Sequence, residues 1–176
     1  FIRDLSILED IEGNGAQATD PMGSLLPDLI RRAVQVKADV VGLDFRESTS
    51  VGSDVGREAL NYGHTFGHAV ELREGYAWRH GDAVAVGMMF VAELARLGGF
   101  LTDDEVDRHR AVLQALSLPT AYEGGHWDRL LASMAVDKKT RGALLRFVVL
   151  AGIGNPRIWE GPDPDMLAAA YEAISR

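Results

Sequence analysis

Ten consecutive residues, Ala83 to Ala92, carry no charged or hydrogen-bonding side chain. The run is too short to cross a bilayer, which takes about 20 apolar residues in a helix. Read as part of a helix that begins at His80 or Gly81, reaches Leu97 and stops at Gly98-Gly99, it is apolar on every side. A helix of that kind belongs in the middle of a fold, with other elements packed around it.

The rest of the chain supplies those neighbours, mostly as helices. Asp4 to Glu12 suits a short helix ended by Gly13-Asn14-Gly15, and a polar loop follows to Gly23. From Ser24 to Phe45 the apolar residues Leu25, Leu26, Leu29, Ile30, Ala33, Val36, Val40 and Val41 recur at helical spacing. Ser48 to Gly56 reads as a connection, and Arg57 to Glu74 as one continuous helix. Thr102 to Glu105 has the form of a capping box and opens a helix to Leu116. Trp127 to Val136 is a further helix, and Asp163-Pro164 starts the last, to Ser175. Only Leu144–Leu150 and Arg157–Trp159 read as strands, joined through Gly152-Ile153-Gly154-Asn155-Pro156 into a hairpin. The expected fold is a single mainly α domain over residues 1–176, with a small β-hairpin near 144–160.

Composition narrows the function. Apolar residues make up 47% of the 176, a globular composition, and the net charge of −8 argues against nucleic acid as the main partner. No signal peptide or membrane span is visible, and with no cysteine the chain fits a cytoplasmic setting. The same absence leaves only His, Asp and Glu to hold a metal.

Three of the five histidines fall between positions 64 and 80. On a continuous helix, Asn61, His64, His68 and Glu71 share one stripe, where an ordinary buried face would carry Leu, Ile or Val. The competing reading is a polar helix interface with satisfied histidines. Two imidazoles from neighbouring helices, His80 and one from the His64/His68 stripe, are a start for a tetrahedral Zn²⁺ site, with Glu47, Glu71 and Asp82 as candidates for a third ligand. His109 and His126 lie in polar stretches and are expected at the surface. A second cluster is cationic: Lys37, Arg46, Arg57, Lys138, Lys139 and Arg141. It reads either as solvated helix ends or as a grip on a phosphorylated or carboxylated substrate. The chain has fifteen arginines and only three lysines.

Five segments, taken together and in order, resemble a known family: Lys37-Ala38-Asp39-Val40-Val41, Asp44-Phe45-Arg46-Glu47, the run from Arg57 through Asn61-Tyr62-Gly63-His64-Thr65-Phe66-Gly67-His68 to Glu71, His80-Gly81-Asp82, and Asp137-Lys138-Lys139. They are similar to the C-terminal domain of 3-dehydroquinate synthase. That resemblance implies a partner N-terminal α/β domain of the same protein that binds NAD⁺, a divalent metal (Zn²⁺ or Co²⁺) and a homodimer. It implies a phosphorylated seven-carbon sugar acid as substrate, closed to 3-dehydroquinate with release of phosphate. By position, His64 and His80 are the implied metal ligands and Glu47 and His68 the implied proton-transfer groups. Lys37, Arg57 and Asn61, with one of Lys138 and Lys139, are the implied substrate contacts. A glutamate ligand is expected upstream of Phe1, so the isolated chain is expected to hold metal weakly and to be inactive. The Ser48–Gly56 connection is longer than the family's usual one. Three alternatives stand beside this reading: another sugar-phosphate cyclase (valiolone-, inosose- or aminodehydroquinate-type), a metal-dependent hydrolase using His64 and His68, and a non-catalytic helical module.

Overall fold

The structure, a computed structural model, describes residues 1–43, 55–139 and 144–176. Its described α-helices are α1 (Ser6–Asn14), α2 (Leu25–Leu43), α3 (His64–Arg73), α4 (His80–Leu97), α5 (Asp103–Ala115), α6 (Trp127–Lys139) and α7 (Pro164–Ile174). Short 3₁₀ segments occupy Gly15–Thr19 and Gly56–Asn61. Strands β1 (Arg146–Leu150) and β2 (Pro156–Glu160) pair antiparallel, with Val148 opposite Ile158. The mainly α architecture with one hairpin is the one expected from sequence.

Helix α4 is the axis of this arrangement. Ala83, Val86, Met89, Phe90, Ala92, Leu94 and Ala95 have no solvent exposure, because α3, α5, α7 and β1 all pack on it. Phe90 stacks on Phe66 of α3 with ring centroids 4.3 Å apart. Of these, the larger side chains Val86, Met89, Phe90 and Leu94 each contribute about 1.5–3 kcal/mol through removal from water. A second, smaller apolar cluster (Leu8, Ile11, Ala18, Leu29 and Val112) joins α1 and α2 to α5.

The helix ends follow their local chemistry. Thr102 accepts from Glu105 N while the Glu105 carboxylate accepts from Thr102 N at 2.9 Å, a complete capping box. Asp163 caps α7 by accepting from Asp165 N at 2.8 Å, with Pro164 in the first turn. Among the described residues no helix is long and apolar enough to cross a membrane.

Two expectations are corrected. The predicted helix from Arg57 to Glu74 is broken: a 3₁₀ segment ends at Asn61 and α3 begins only at His64. Gly63 causes the break with φ +79°, a left-handed conformation that glycine adopts without penalty. Asn61 therefore leaves the stripe and lies exposed, while His64, His68 and Glu71 keep theirs.

The second correction concerns His109, which has no solvent exposure. Its Nδ1 lies 2.7 Å from the Glu105 carbonyl, its Nε2 lies 3.0 Å from the Tyr62 hydroxyl, and Phe1 stacks on it at 4.0 Å. The polar neighbours in sequence misled because they occupy the other face of α5. His126 is half-buried, 3.3 Å from Glu123.

Burial pushes the His109 pKa down to about 4. In an unfolded chain an imidazole titrates near 6.5. The unfolded state therefore binds more protons between those values, so stability rises with pH in that window. The contribution is complete above about pH 6.5 and is lost as pH falls toward 4. Urea unfolding should show wild type losing about 2–3 kcal/mol more than a His109→Gln variant between pH 7 and pH 4.5. Parallel losses in the two proteins would show that His109 does not stay neutral in the fold.

Candidate metal centre

The histidine cluster is built where two helices start. His64 is the first residue of α3 and His80 the first of α4. What brings the two starts together is a crossing of small residues. A Cβ on Gly63 would lie 2.7 Å from Met88 N, and one on Gly67 would lie 3.1 Å from the Ala83 carbonyl oxygen. Across the contact, a Cβ on Gly87 would fall 2.0 Å from the Gly63 carbonyl oxygen. The backbones touch, so the side chains at the ends of α3 and α4 converge.

Three imidazoles meet as a result. His64 and His80 have ring centroids 5.3 Å apart, His64 and His68 5.5 Å, and His68 and His80 6.1 Å. His68 and His80 are exposed, His64 is half-buried and Glu71 is only 13% exposed. Burial, with the neighbouring His68 and His80, holds the His64 pKa below its ordinary value. His64 is therefore neutral at pH 7, the form that binds metal.

Among the described residues the ring nitrogens divide into tied and free. His64 Nδ1 donates to the Tyr62 carbonyl at 3.1 Å, and His80 Nδ1 lies 3.1 Å from a Glu71 carboxylate oxygen. The carbonyl contact fixes the His64 tautomer with Nε2 left as the lone-pair donor, and the Glu71 contact occupies His80 Nδ1. Imidazole held from behind by a carbonyl or a carboxylate is the usual arrangement of a metal-bound histidine. The donor set of neutral imidazoles with carboxylate nearby suits Zn²⁺ or Co²⁺.

Among the described residues, the group of donors close enough to share one ion is His68, Glu71 and His80, all within 4.8 Å of one another. Glu71 was one of three candidates for a third ligand; His64, the ligand implied by the resemblance, and Asp82 are not in this group. Tyr62 was missed altogether, since its contribution is a backbone carbonyl that no side-chain pattern reveals. The Gly63/Gly67 and Ala83/Gly87 spacings were legible as four-residue repeats of small side chains.

Of the expected substrate contacts, Lys37 is exposed on α2, which packs on the 3₁₀ segment bearing Arg57 and Asn61. Arg57 and Asn61 are likewise exposed, just ahead of His64. Lys138 and Lys139 are the last two residues of α6, a helix that packs against α3. Glu47 lies outside the described residues, as does most of the Ser48–Gly56 connection.

The comparisons with known proteins give a family from sequence and a fold from structure. The family described as 3-dehydroquinate synthase C-terminal matches residues 1–140. A 3-dehydroquinate synthase of Nocardia farcinica (strain IFM 10152) is 57% identical over all 176 residues, which cover 46% of its length. One from Rhodococcus erythropolis (strain PR4 / NBRC 100887) is 54% identical over the same residues, also 46% of its length. The chain thus spans about half the length of the curated relatives it matches. Among solved structures, the 2-epi-5-epi-valiolone synthase ValA of Streptomyces hygroscopicus subsp. jinggangensis 5008, with NAD⁺ and Zn²⁺ bound, matches with a TM-score of 0.84 at 24% identity. That match covers 98% of this chain and 47% of the other. A 2-deoxy-scyllo-inosose synthase complexed with carbaglucose-6-phosphate, NAD⁺ and Co²⁺ matches with a TM-score of 0.65 at 24% identity, over 82% of this chain and 41% of that one. At that identity the two structures speak for the fold alone; the sequence matches decide the rest, and the chain belongs to the 3-dehydroquinate synthase C-terminal family.

Proposed function

We propose that the protein carrying this chain is a 3-dehydroquinate synthase. It would convert 3-deoxy-D-arabino-heptulosonate 7-phosphate to 3-dehydroquinate and phosphate, in the shikimate route to aromatic amino acids. The observation that carries the choice is the 57% identity to such an enzyme over the whole chain, against 24% to the valiolone and inosose synthases that share the fold.

His64 and His80 would hold the metal through their free Nε2 atoms, with Tyr62 and Glu71 fixing the rings from behind. When bound, Zn²⁺ or Co²⁺ would supply Lewis acidity at the hydroxyl oxygen, and NAD⁺ would supply the acceptor for the hydride from the carbon that bears it. His68, one turn along α3, faces the substrate and takes or returns the proton moved as phosphate departs. Glu47 serves a second proton transfer. Lys37, Arg57 and Asn61 hold the substrate's carboxylate and hydroxyls, and Lys138 or Lys139 grips the phosphate. NAD⁺ falls to the portion of the relatives that this chain does not match.

The test is product identity. The full-length protein should release phosphate from the heptulosonate phosphate, yielding dehydroquinate, and leave sugar phosphates without the carboxylate largely untouched. The isolated 176-residue chain should turn over neither. Preference for a substrate lacking the carboxylate would replace this reading with that of another cyclase.

A further inference from the structure

His109 and Tyr62 form a buried polar pair in the apolar core, at 0% and 2% exposure. The core would be filled as well by Phe at both positions, so the polar atoms need a reason. Their bonding order supplies one. The Glu105 carbonyl can only accept, so His109 Nδ1, 2.7 Å away, carries the proton. Burial keeps the ring neutral, so Nε2 holds a lone pair. The Tyr62 hydroxyl, 3.0 Å away, therefore donates to it. The Tyr62 ring is thereby fixed at its far end.

At the near end, the backbone carbonyl of the same residue accepts from His64 Nδ1 at 3.1 Å. The peptide bearing that carbonyl runs into Gly63, whose left-handed φ of +79° is held on one side by the close approach of the α4 backbone. On the other side, the hydrogen bond of the Tyr62 hydroxyl fixes the residue that carries the carbonyl.

We propose that His109 is a positioning residue: through the Tyr62 hydroxyl it anchors the Tyr62–Gly63 peptide, whose carbonyl keeps His64 in the tautomer that presents Nε2 to the metal. The anchor is stiff because the start of α5 is tied on several sides. Glu105 closes the capping box, its carboxylate also accepts from Ile153 N at 3.1 Å, and Phe1 stacks on the His109 ring at 4.0 Å. The inference rests on the assignment of His64 as a metal ligand.

The test uses the full-length protein with Tyr62→Phe, His109→Phe and His109→Gln, the last keeping an acceptor for the tyrosine hydroxyl. Two quantities are read: the protonated ring nitrogen of His64 in metal-free ¹⁵N-labelled protein, and the Kd for Zn²⁺ alone. Wild type should hold the proton on Nδ1. Both phenylalanine variants should show mixed tautomers and a Kd weakened about tenfold or more, in the range found when groups behind a metal ligand are removed. The glutamine variant should recover most of both. Loss of thermal stability in the phenylalanine variants with His64 tautomer and Zn²⁺ affinity unchanged would reduce the pair to core packing and overturn the proposal. Should wild type bind no Zn²⁺ through His64, the functional reading fails, while the tautomer comparison still decides this one.

Discussion

A Gly87→Ala variant should unfold about 6–12 °C earlier than wild type, a loss of about 3 kcal/mol. The added Cβ would fall 2.0 Å from the Gly63 carbonyl oxygen, 2.9 Å from its carbon and 3.0 Å from Gly67 N. All three are backbone atoms, so no side chain can swing aside. Relief requires α3 to move away from α4, which pulls Phe66 off Phe90 and separates His64 from His80. Alanine's better helix propensity, worth about 1 kcal/mol, acts in the opposite direction and is too small to compensate. Gly81 is the control: it lies in the first turn of the same helix with nothing within 4 Å of its Cβ position. Gly81→Ala should leave the melting temperature unchanged or raise it slightly. Thermal melts of the two variants decide the matter, and equal stability would show that the α3–α4 crossing is looser than described.

In the full-length protein, His64→Ala should lower kcat/KM by about a thousandfold, the equivalent of about 4 kcal/mol of transition-state stabilisation. The loss should come with weakened Zn²⁺ binding, because His64 Nε2 is a free donor in the cluster and Nδ1 is already tied to Tyr62. His80→Ala should behave alike, for the same reason at Glu71. His68→Ala should differ in kind: slower turnover from a missing proton-transfer group, but zinc retained. Equilibrium metal titration beside steady-state kinetics separates the two patterns. A His68→Ala protein that loses its zinc would assign that histidine to the metal.

The buried helix Ala83–Ala92 was plain in the sequence because nothing polar interrupts it, and the capping box and hairpin because their chemistry is local. The break at Gly63 was not. Asn61, His64, His68 and Glu71 fit one helical stripe perfectly, and the reason the helix does not run through is the approach of α4's backbone, a tertiary contact. His109 escaped for a related reason. Its sequence neighbours Arg108 and Arg110 are half-buried and reach carboxylates, Arg108 to Glu12 at 2.6 Å and Arg110 to the buried Glu93 at 3.0 Å, and they flank it on a helix whose next face is core. The convergence of His64, His68 and His80 was readable as spacing. Which nitrogens are free was not, since that depends on the Tyr62 carbonyl and on Glu71 reaching back to the start of α4.

The ligand set of the metal in the full-length protein is the most direct test of this division of labour. X-ray absorption or anomalous diffraction on the Zn²⁺-loaded enzyme should place Nε2 of His64 and of His80 at about 2.0–2.1 Å, with His68 unbound. Zinc held instead by His68, Glu71 and His80, with His64 free, would contradict the account.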